Sequence, residues 1–454
     1  MTKTLKRLFA VVLTIAVTIS FSTLAFAENA PLYAEEEFEI VFVEDLLADP
    51  EFSDYIINYL HSRWGEQFFI NQTIASATAD LIFDSFPVSR TGEVMYPVSF
   101  GGMYIDSDGN LVLLIVEDVI LVREWPVISE MTATAHSGGA SVRTVEFSYA
   151  ELREAWLSIH YFLVENWGSG CVVVSNVYSA GVDIVNNRIS VELRDIDLQQ
   201  TELFRETIMN HPALVFLQAD EKPDANMCIY TIYYAEASNV DPDAHMQPLN
   251  TTTVHPGNAI RRGSASGAIR SVGYRVRRAT GQRGFVTAMH GTQANDSFFL
   301  NGTNVGQITI SSRATDSVFV QLPASGVDVS MRNPVAAPNT TVSPNVHARP
   351  LVGQSVMRIS EGGRLASGNQ NHPLVASGLI DVAERSREVL GLGFVYVFRA
   401  EFEVIAGDSG GIVVRHDGSN WLITGIVIAR ADTVRAYFAH SVRINNALDV
   451  HMQW

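Results

Sequence analysis

A serine flanked by glycines is the feature of the sequence with the clearest chemical potential. Residues 407–411 read Gly-Asp-Ser-Gly-Gly, between an apolar approach and a predicted strand that begins at Ile412. The glycines predict a tight turn that exposes the Ser409 hydroxyl and leaves backbone N–H groups available. The N–H groups of Gly407 and Ser409 could then stabilise a developing oxyanion. The segment therefore predicts nucleophilic chemistry at Ser409.

A serine hydroxyl needs a nearby base, because it is a weak nucleophile on its own. His290 ends a predicted strand that reads Gly-Phe-Val-Thr-Ala-Met-His-Gly over residues 284–291, and Asp316 stands at the head of a later strand. Asp296 in a turn-like stretch and Asp328 in a loop are the alternative acids. The chain order His, Asp, Ser is one of the three known orders of a catalytic triad.

The acid beside the candidate nucleophile also needs a partner. Asp408 precedes Ser409, and a carboxylate in a mostly buried site is costly unless a cation pairs with it. Arg358 is the first candidate for that cation, and Arg364 is the second.

These motifs resemble those of bacterial chymotrypsin-like proteases of the streptogrisin and alpha-lytic protease group. Residues 273–291 resemble the opening of that domain, where a strand ends Phe-Val-Thr-Ala-x-His. Ser409 lies in the family's Gly-Asp-Ser-Gly-Gly, and Asp316 lies in its Asp-x-x-apolar-Val strand. Residues 353–368 resemble the segment whose arginine holds the aspartate before the nucleophile, which corresponds to Arg358 and Asp408. The resemblance covers roughly residues 270–445.

The resemblance implies a trypsin-like double β-barrel over residues 257–454 and the activity of a serine endopeptidase. His290 would act as the base, Asp316 would orient it, and the N–H groups of Gly407 and Ser409 would form the oxyanion hole. The family usually has a cysteine after the histidine, whereas this chain has Gly291 and no cysteine in residues 257–454. Hydrogen bonds and packing must therefore hold these loops. The alternative is a catalytically silent binding or regulatory protein on a protease fold.

Two charged residues are candidates for the substrate pocket by the same resemblance. Glu403, six residues before Ser409, would favour Arg or Lys substrates by charge pairing. Arg430 follows a strand over residues 424–429 that should line the same pocket. It could neutralise Glu403 or select acidic substrates, and either side chain could instead point to solvent.

The first 27 residues have the pattern of a secretory signal peptide. Three cations precede an uncharged stretch that ends Ala-Phe-Ala at residues 25–27. An uncleaved membrane anchor is the alternative, because the uncharged stretch is long enough to span a bilayer. We expect cleavage before Glu28 and a secreted protein that has no further membrane association.

Residues 28–256 differ from the rest of the chain in charge and in predicted structure. They carry 9 Lys and Arg against 36 Asp and Glu, whereas residues 257–454 carry 19 Arg, no Lys and 13 Asp and Glu. The predicted elements mix helices and strands, so the chain is expected to join an α+β region, with two subdomains at about 28–135 and 140–240, to an all-β domain. A capping box of Ser148 and Glu151 begins one helix, and strands are expected at 171–177 and 181–193.

Residues 94–118 and 178–194 resemble pro-region segments of the same proteases. In that family the pro-region assists folding, inhibits the enzyme and is cut away, so the chain's own N-terminal half is an expected partner beside protein or peptide substrates. Opposite net charges favour docking of the two halves. A permanently attached accessory domain is the alternative.

Composition argues against several other classes of function. The net charge of −18 argues against nucleic-acid binding. No Cys/His cluster has zinc spacing and no phosphate-binding loop is found, so no metal or cofactor is expected. Residues 106–110 resemble part of a calcium loop but lack its downstream Glu, so a hairpin turn is expected. Cys171 and Cys228 could form a disulfide or remain as two thiols.

Overall fold

The computed structural model describes residue 58 and residues 61–88, 94–116, 125–219, 252–264, 267–329, 349–368, 373, 375–389, 393–416, 421–431 and 434–452. The signal peptide predicted at residues 1–27 and the residue Cys228 lie outside these ranges. From Glu66 to residue 219 the helices and strands of the described ranges are, in order, α1 (Glu66–Asp84), β1 (Phe100–Ile105), β2 (Leu111–Val116), α2 (Trp125–Ser137), β3 (Ser141–Val145), α3 (Tyr149–Glu165), α4 (Val172–Asn176), β4 (Val177–Asp183), β5 (Arg188–Leu193), α5 (Leu198–Thr207) and β6 (Leu214–Gln218).

Two α+β layers make up this N-terminal part. In the first, helices α1 and α2 pack against the three-stranded sheet β1–β2–β3. In the second, helix α3 packs against β4 and β5. Helix α3 begins with the predicted capping box, in which Ser148 Oγ accepts a hydrogen bond from Glu151 N at 3.1 Å. The predicted hairpin turn is also present, since Asp106 Oδ1 accepts from the N–H groups of Asp108 and Asn110.

The strand expected at residues 171–177 is wrong, because Val172–Asn176 forms the short helix α4. Adjacent residues of a strand face opposite sides, but Val173 and Val174 are both buried in the same cluster while Val172 is exposed. One helical turn lets two consecutive valines reach the core. Tertiary packing thus overrides the β preference of this Val-rich run.

The C-terminal part contains mostly strands. They are β7 (Thr252–Val254), β8 (Ala259–Arg262), β9 (Ile269–Ser271), β10 (Arg275–Arg278), β11 (Arg283–Ala288), β12 (Ser297–Leu300), β13 (Thr303–Ser312), β14 (Ser317–Gln321), β15 (Val327–Val329), β16 (Ser355–Ile359), β17 (Val375–Val389), β18 (Gly393–Ala400), β19 (Ile412–His416), β20 (Trp421–Arg430), β21 (Ala436–His440) and β22 (Val450–His451). Two short helices accompany them, α6 (Gly362–Ser367) and α7 (Ser441–Leu448).

Two antiparallel sheets enclose the core of this part. The first has the order β22–β10–β11–β14–β13–β12–β8–β9. In the second the order is β16–β19–β20–β21–β18–β17, and β16 also pairs with β17, so these six strands close into a barrel. The fold class predicted from the sequence, an all-β double barrel preceded by an α+β region, is confirmed.

The second sheet continues from the C-terminal part into the N-terminal part. Strand β17 pairs antiparallel with β4, in the register Gly181 with Arg385 and Ser179 with Arg387. The result is one nine-stranded sheet that ends β17–β4–β5–β6. Helix α1 makes a second contact, since Asp80 Oδ2 lies 2.7 Å from the guanidinium of Arg415. None of the helices in the described ranges combines the length and the hydropathy that a membrane span requires.

Candidate active site

The two sheets bring His290, Asp316 and Ser409 together. Strand β11 ends at Ala288, which pairs with Ser317 at the start of β14, so the residues just beyond these strand ends are neighbours. Ser409 comes from the turn that leads into β19. The sequence-predicted nucleophile therefore reaches the histidine from the other sheet.

The three side chains form one continuous series of contacts. His290 Nδ1 lies 2.6 Å from Asp316 Oδ2, and His290 Nε2 lies 3.0 Å from Ser409 Oγ. Asp316 is fully buried, and its other oxygen accepts from the N–H of His290 at 2.7 Å and of Met289 at 3.1 Å. With the proton of the imidazole on Nδ1, Nε2 is free to accept the hydroxyl proton of Ser409.

Asp316 adopts a backbone conformation that is unusual for a residue with a side chain. Its φ is +45°, in the left-handed region. Its own carbonyl accepts from Met289 N at 3.0 Å, and its N–H donates to Arg313 O at 3.2 Å. These bonds hold the carboxylate under the imidazole despite the backbone strain.

The two alternative acids lie elsewhere. Asp296 Oδ2 accepts from Gln293 N and lies 3.6 Å from Arg262, whereas Asp328 lies 3.9 Å from Arg283. Within the described ranges neither carboxylate contacts His290. Asp316 is thus the one of the three candidates that the fold brings to the imidazole.

The turn that contains Gly407 and Ser409 has an unusual backbone conformation. Gly407 has φ +99°, and a Cβ at this position would lie 2.2 Å from the carbonyl oxygen of Gly362. No acceptor within the described ranges takes the backbone N–H of Gly407 or of Ser409. Two unpaired N–H groups beside the Ser409 hydroxyl could donate to a negatively charged oxygen.

Asp408 and Arg358 form a buried ion pair below this turn. Arg358 Nη1 lies 2.9 Å from Asp408 Oδ1, and both side chains are fully buried. Ser360 Oγ donates to the same oxygen at 2.6 Å, and Ile405 N donates to Asp408 Oδ2 at 2.9 Å. Burial lowers the pKa of the Arg358 guanidinium, and the carboxylates of Asp408 and Glu403 offset part of that effect. Arg364, the second candidate, is on α6, where burial lowers its pKa and Glu361 raises it.

The two candidate pocket residues differ in exposure. The Glu403 side chain is exposed, and Arg430 at the end of β20 is half-buried. Glu403 acts electrostatically on Arg358. The charge preference of the pocket therefore stays a prediction. Glu403 would favour basic substrates, Arg430 could neutralise it or select acidic substrates, and either side chain could point to solvent.

Sequence reasoning missed three side chains that hold this site. Arg270 and Ser271 on β9 contact the turns of His290 and Ser409, and Ser360 bridges Arg358 and Asp408. A cation in a short strand and two serines carry no motif, so only the fold identifies them. Within the part of the chain that the structure describes, no three His, Cys, Asp or Glu side chains cluster as a metal site would require.

Comparisons with known proteins return bacterial proteases by structure and one family by sequence. Residues 160–219 match the family described as Pro-like C-terminal domain. The Nocardiopsis protease is 20% identical with a TM-score of 0.35, over 44% of this chain and 98% of that chain. Thermobifida fusca protease A is 18% identical, again with a TM-score of 0.35 and with 44% and 98% coverage. The Cellulomonas bogoriensis chymotrypsin is 21% identical with a TM-score of 0.34, at the same coverage of both chains. No curated protein sequence matches this chain.

Proposed function

We propose that this chain is the precursor of a secreted serine endopeptidase. The observation that carries the proposal is the unbroken series of contacts from Asp316 through His290 to Ser409, with Nδ1 2.6 Å from the carboxylate and Nε2 3.0 Å from the hydroxyl. Such a series activates a serine for attack on a carbonyl carbon. Protein and peptide substrates follow from the resemblance to chymotrypsin-like proteases.

In the acylation step His290 Nε2 takes the proton of Ser409 as Oγ attacks the carbonyl carbon of the scissile peptide bond. The imidazolium that forms is stabilised by the buried carboxylate of Asp316. The carbonyl oxygen becomes an oxyanion and accepts from the N–H groups of Gly407 and Ser409. His290 then gives the proton to the leaving amine, and the C–N bond breaks.

Water completes the reaction by the same route. His290 takes a proton from water, the resulting hydroxide attacks the ester carbonyl of the acyl-enzyme, and Ser409 Oγ leaves with that proton. The N–H groups of Gly407 and Ser409 again receive the negative charge. No metal or cofactor takes part in these steps.

We further propose that residues 28–256 are a pro-region that assists folding and inhibits the enzyme, and that residues 1–27 direct export. Three observations support the pro-region. Strand β4 pairs with β17, residues 160–219 match a Pro-like C-terminal domain, and the two halves carry opposite net charge. Cleavage would fall in the segment between them. The sequence of residues 239–257 predicts a loop there, although Thr252–Val254 forms β7.

The processed form that accumulates when the wild-type precursor is expressed would test the enzymatic proposal directly. Diisopropyl fluorophosphate phosphorylates activated serine hydroxyls with loss of fluoride, and mass spectrometry of peptides locates the modified residue. We expect one adduct, on Ser409, and none after His290→Ala. A wild-type protein that does not react would favour the catalytically silent alternative.

Processing tests the precursor proposal. The Ser409→Ala variant should accumulate at full length after export, whereas the wild-type chain should lose its N-terminal half. Ser137→Ala is the matched control, because Ser137 is exposed on α2 and its hydroxyl donates to Thr134 O within the same helix. Normal processing of Ser409→Ala in a protease-deficient host would contradict self-cleavage.

A further inference from the structure

Two consecutive residues of β9 connect the turn of His290 to the turn of Ser409. The first, Arg270, is 5% exposed and directs one guanidinium at two carbonyls. Its Nη1 donates to Ala288 O at 2.5 Å, and its Nη2 donates to His290 O at 3.0 Å. A guanidinium is a rigid planar fork, so the two bonds fix the spacing of the carbonyls on either side of Met289.

A second arginine contacts the next carbonyl of the same turn. Arg262 on β8, the strand paired with β9, donates from Nη1 to Gly291 O. Two arginines from one hairpin therefore contact carbonyls at residues 288, 290 and 291. Residues 257–454 contain no cysteine, so these charge-assisted bonds act where no disulfide is possible.

The second residue of the pair, Ser271, contacts the nucleophile turn. Its N–H donates to Ser409 O at 2.9 Å, and its Oγ donates to Gly407 O at 3.0 Å. The same hydroxyl accepts from Gly362 N at 3.0 Å. Ser271 is fully buried, so no water competes for these bonds.

We propose that Arg270 and Ser271 are positioning residues that set the distance between His290 Nε2 and Ser409 Oγ. The inference rests on the proposed function. His290 and Ser409 come from different sheets, and one dipeptide bonds the backbone on both sides of their 3.0 Å contact. A displacement of about 1 Å between reacting groups can cost on the order of 100-fold in rate. Neither residue is expected to touch the substrate.

Kinetics of Arg270→Met would measure this role. We expect kcat to fall on the order of 100-fold with KM little changed, because the substitution misaligns reacting groups and leaves substrate contacts intact. The rate of fluorophosphate labelling at Ser409 should fall in parallel. Arg270→Lys should recover part of the loss, since an ammonium can bond one carbonyl but cannot reproduce the fork.

Two further variants make the experiment decisive. Ser271→Ala removes only one hydroxyl and should lower kcat less than Arg270→Met, so it carries the test if the larger change prevents folding. Arg278→Met is the control, because Arg278 is partly buried and donates to Gln282 Oε1 at 2.8 Å, at the end of the β10–β11 pair opposite to His290. Its kcat per folded molecule should match that of the wild type.

The outcomes separate this inference from the proposed function. A wild-type protein that does not label at Ser409 would overturn both. A reactive wild-type protein with Arg270→Met and Ser271→Ala equally reactive would overturn the positioning role alone. Equal losses of kcat in Arg270→Met and Arg278→Met would also overturn it, because the effect would then be a general one of removing an arginine from this sheet.

Discussion

Nη1 of Arg358 lies 2.9 Å from Oδ1 of Asp408, and neither side chain has any exposure to solvent. The carboxylate also accepts from Ser360 Oγ and from the N–H groups of Gly363 and Ile405. These donors satisfy both oxygens of the residue that immediately precedes Ser409. The ion pair therefore fixes the turn that carries Ser409.

Removing the arginine should be strongly destabilising. Arg358→Met leaves the Asp408 carboxylate buried without its cation, which typically costs about 3–5 kcal/mol in the free energy of unfolding. Denaturant unfolding of full-length protein carrying Ser409→Ala would measure it. Glu146→Gln is the control, because it removes an ion pair with Arg188 in which the glutamate is 62% exposed, and it should cost less than about 1 kcal/mol. An Arg358→Met variant as stable as the control would reject the structural role of the pair.

Gly407 should tolerate no side chain. In Gly407→Ala the new Cβ would lie 2.2 Å from Gly362 O. The turn must therefore shift, and this shift reorients its N–H groups. We expect kcat to fall on the order of 100-fold, as for loss of an oxyanion donor. Gly302→Ala has a similar φ of +79° but no atom within 4 Å of its Cβ, so it isolates the cost of backbone strain. If both variants lost kcat equally, strain rather than the contact with Gly362 would be responsible.

The sequence predicted the candidate site best where a turn or a strand end requires a particular type of residue. The glycines around Ser409 and the strand ending at His290 predicted two of the three contact partners, and the strand-head position favoured Asp316 over two other acids. Arg358 could be proposed because a buried acid demands a cation. These inferences depend on local chain geometry or on charge.

Contacts between distant segments could not be predicted in the same way. Arg270 and Ser271 bond carbonyls, which every residue has, so their partners depend on the fold alone. The pairing of β17 with β4 joins segments about 200 residues apart, and no feature of either strand specifies the other. Helix α4 likewise follows from the burial of two adjacent valines rather than from their propensity.

A buried histidine between the two parts of the chain should make the stability of the folded protein pH-dependent. His160 on α3 is 3% exposed, its Nδ1 lies 2.8 Å from Ser386 Oγ on β17, and its ring centroid lies 4.0 Å from that of Tyr396 on β18. The pKa of His160 is lowered to about 4, mainly by burial and also by the positive charge of Arg443, while Glu384 acts in the opposite direction.

The direction of the pH effect follows from proton binding. The folded chain keeps His160 neutral down to about pH 4, whereas the unfolded chain protonates it below its ordinary pKa of about 6.5. Stability from this residue is therefore complete above pH 6.5 and is lost as the pH falls towards 4, by roughly 3 kcal/mol. Unfolding of the Ser409→Ala chain in urea between these pH values measures the slope.

A substitution identifies the titrating group. His160→Phe should flatten this slope, because phenylalanine can stack on Tyr396 but binds no proton. His136→Phe, at an exposed position on α2, should leave the slope unchanged. A slope that is identical in His160→Phe and wild type would assign the pH dependence to other groups.

The two halves should refold better together than apart. Residues 257–454 form sheets by pairing strands that are distant in sequence, which slows folding and exposes strand edges such as β17. When residues 28–256 are added as a separate chain, β4 can cover that edge and α1 can contact β16 through Gln72 and Ser355. We expect a higher yield of refolded protein and inhibition of its activity. Both effects should weaken as salt rises. At 0.1 M salt the attraction between exposed charges of opposite sign is largely screened at separations beyond about 10 Å.

Two aspartates of helix α1 provide a test variant and a control for this refolding experiment. Arg415 is 1% exposed and pairs with Asp80 at 2.7 Å, so Asp80→Asn removes the carboxylate from a buried cation and should strongly reduce binding in trans. Asp84→Asn, on the same helix, removes a pair with Arg349 in which the aspartate is 71% exposed, and binding should change little. The measurement is the refolding yield and the activity of residues 257–454 as a function of the concentration of residues 28–256, added as wild type or as either variant. Efficient refolding of residues 257–454 alone, with no inhibition by any of these chains, would identify the N-terminal half as a permanent accessory domain.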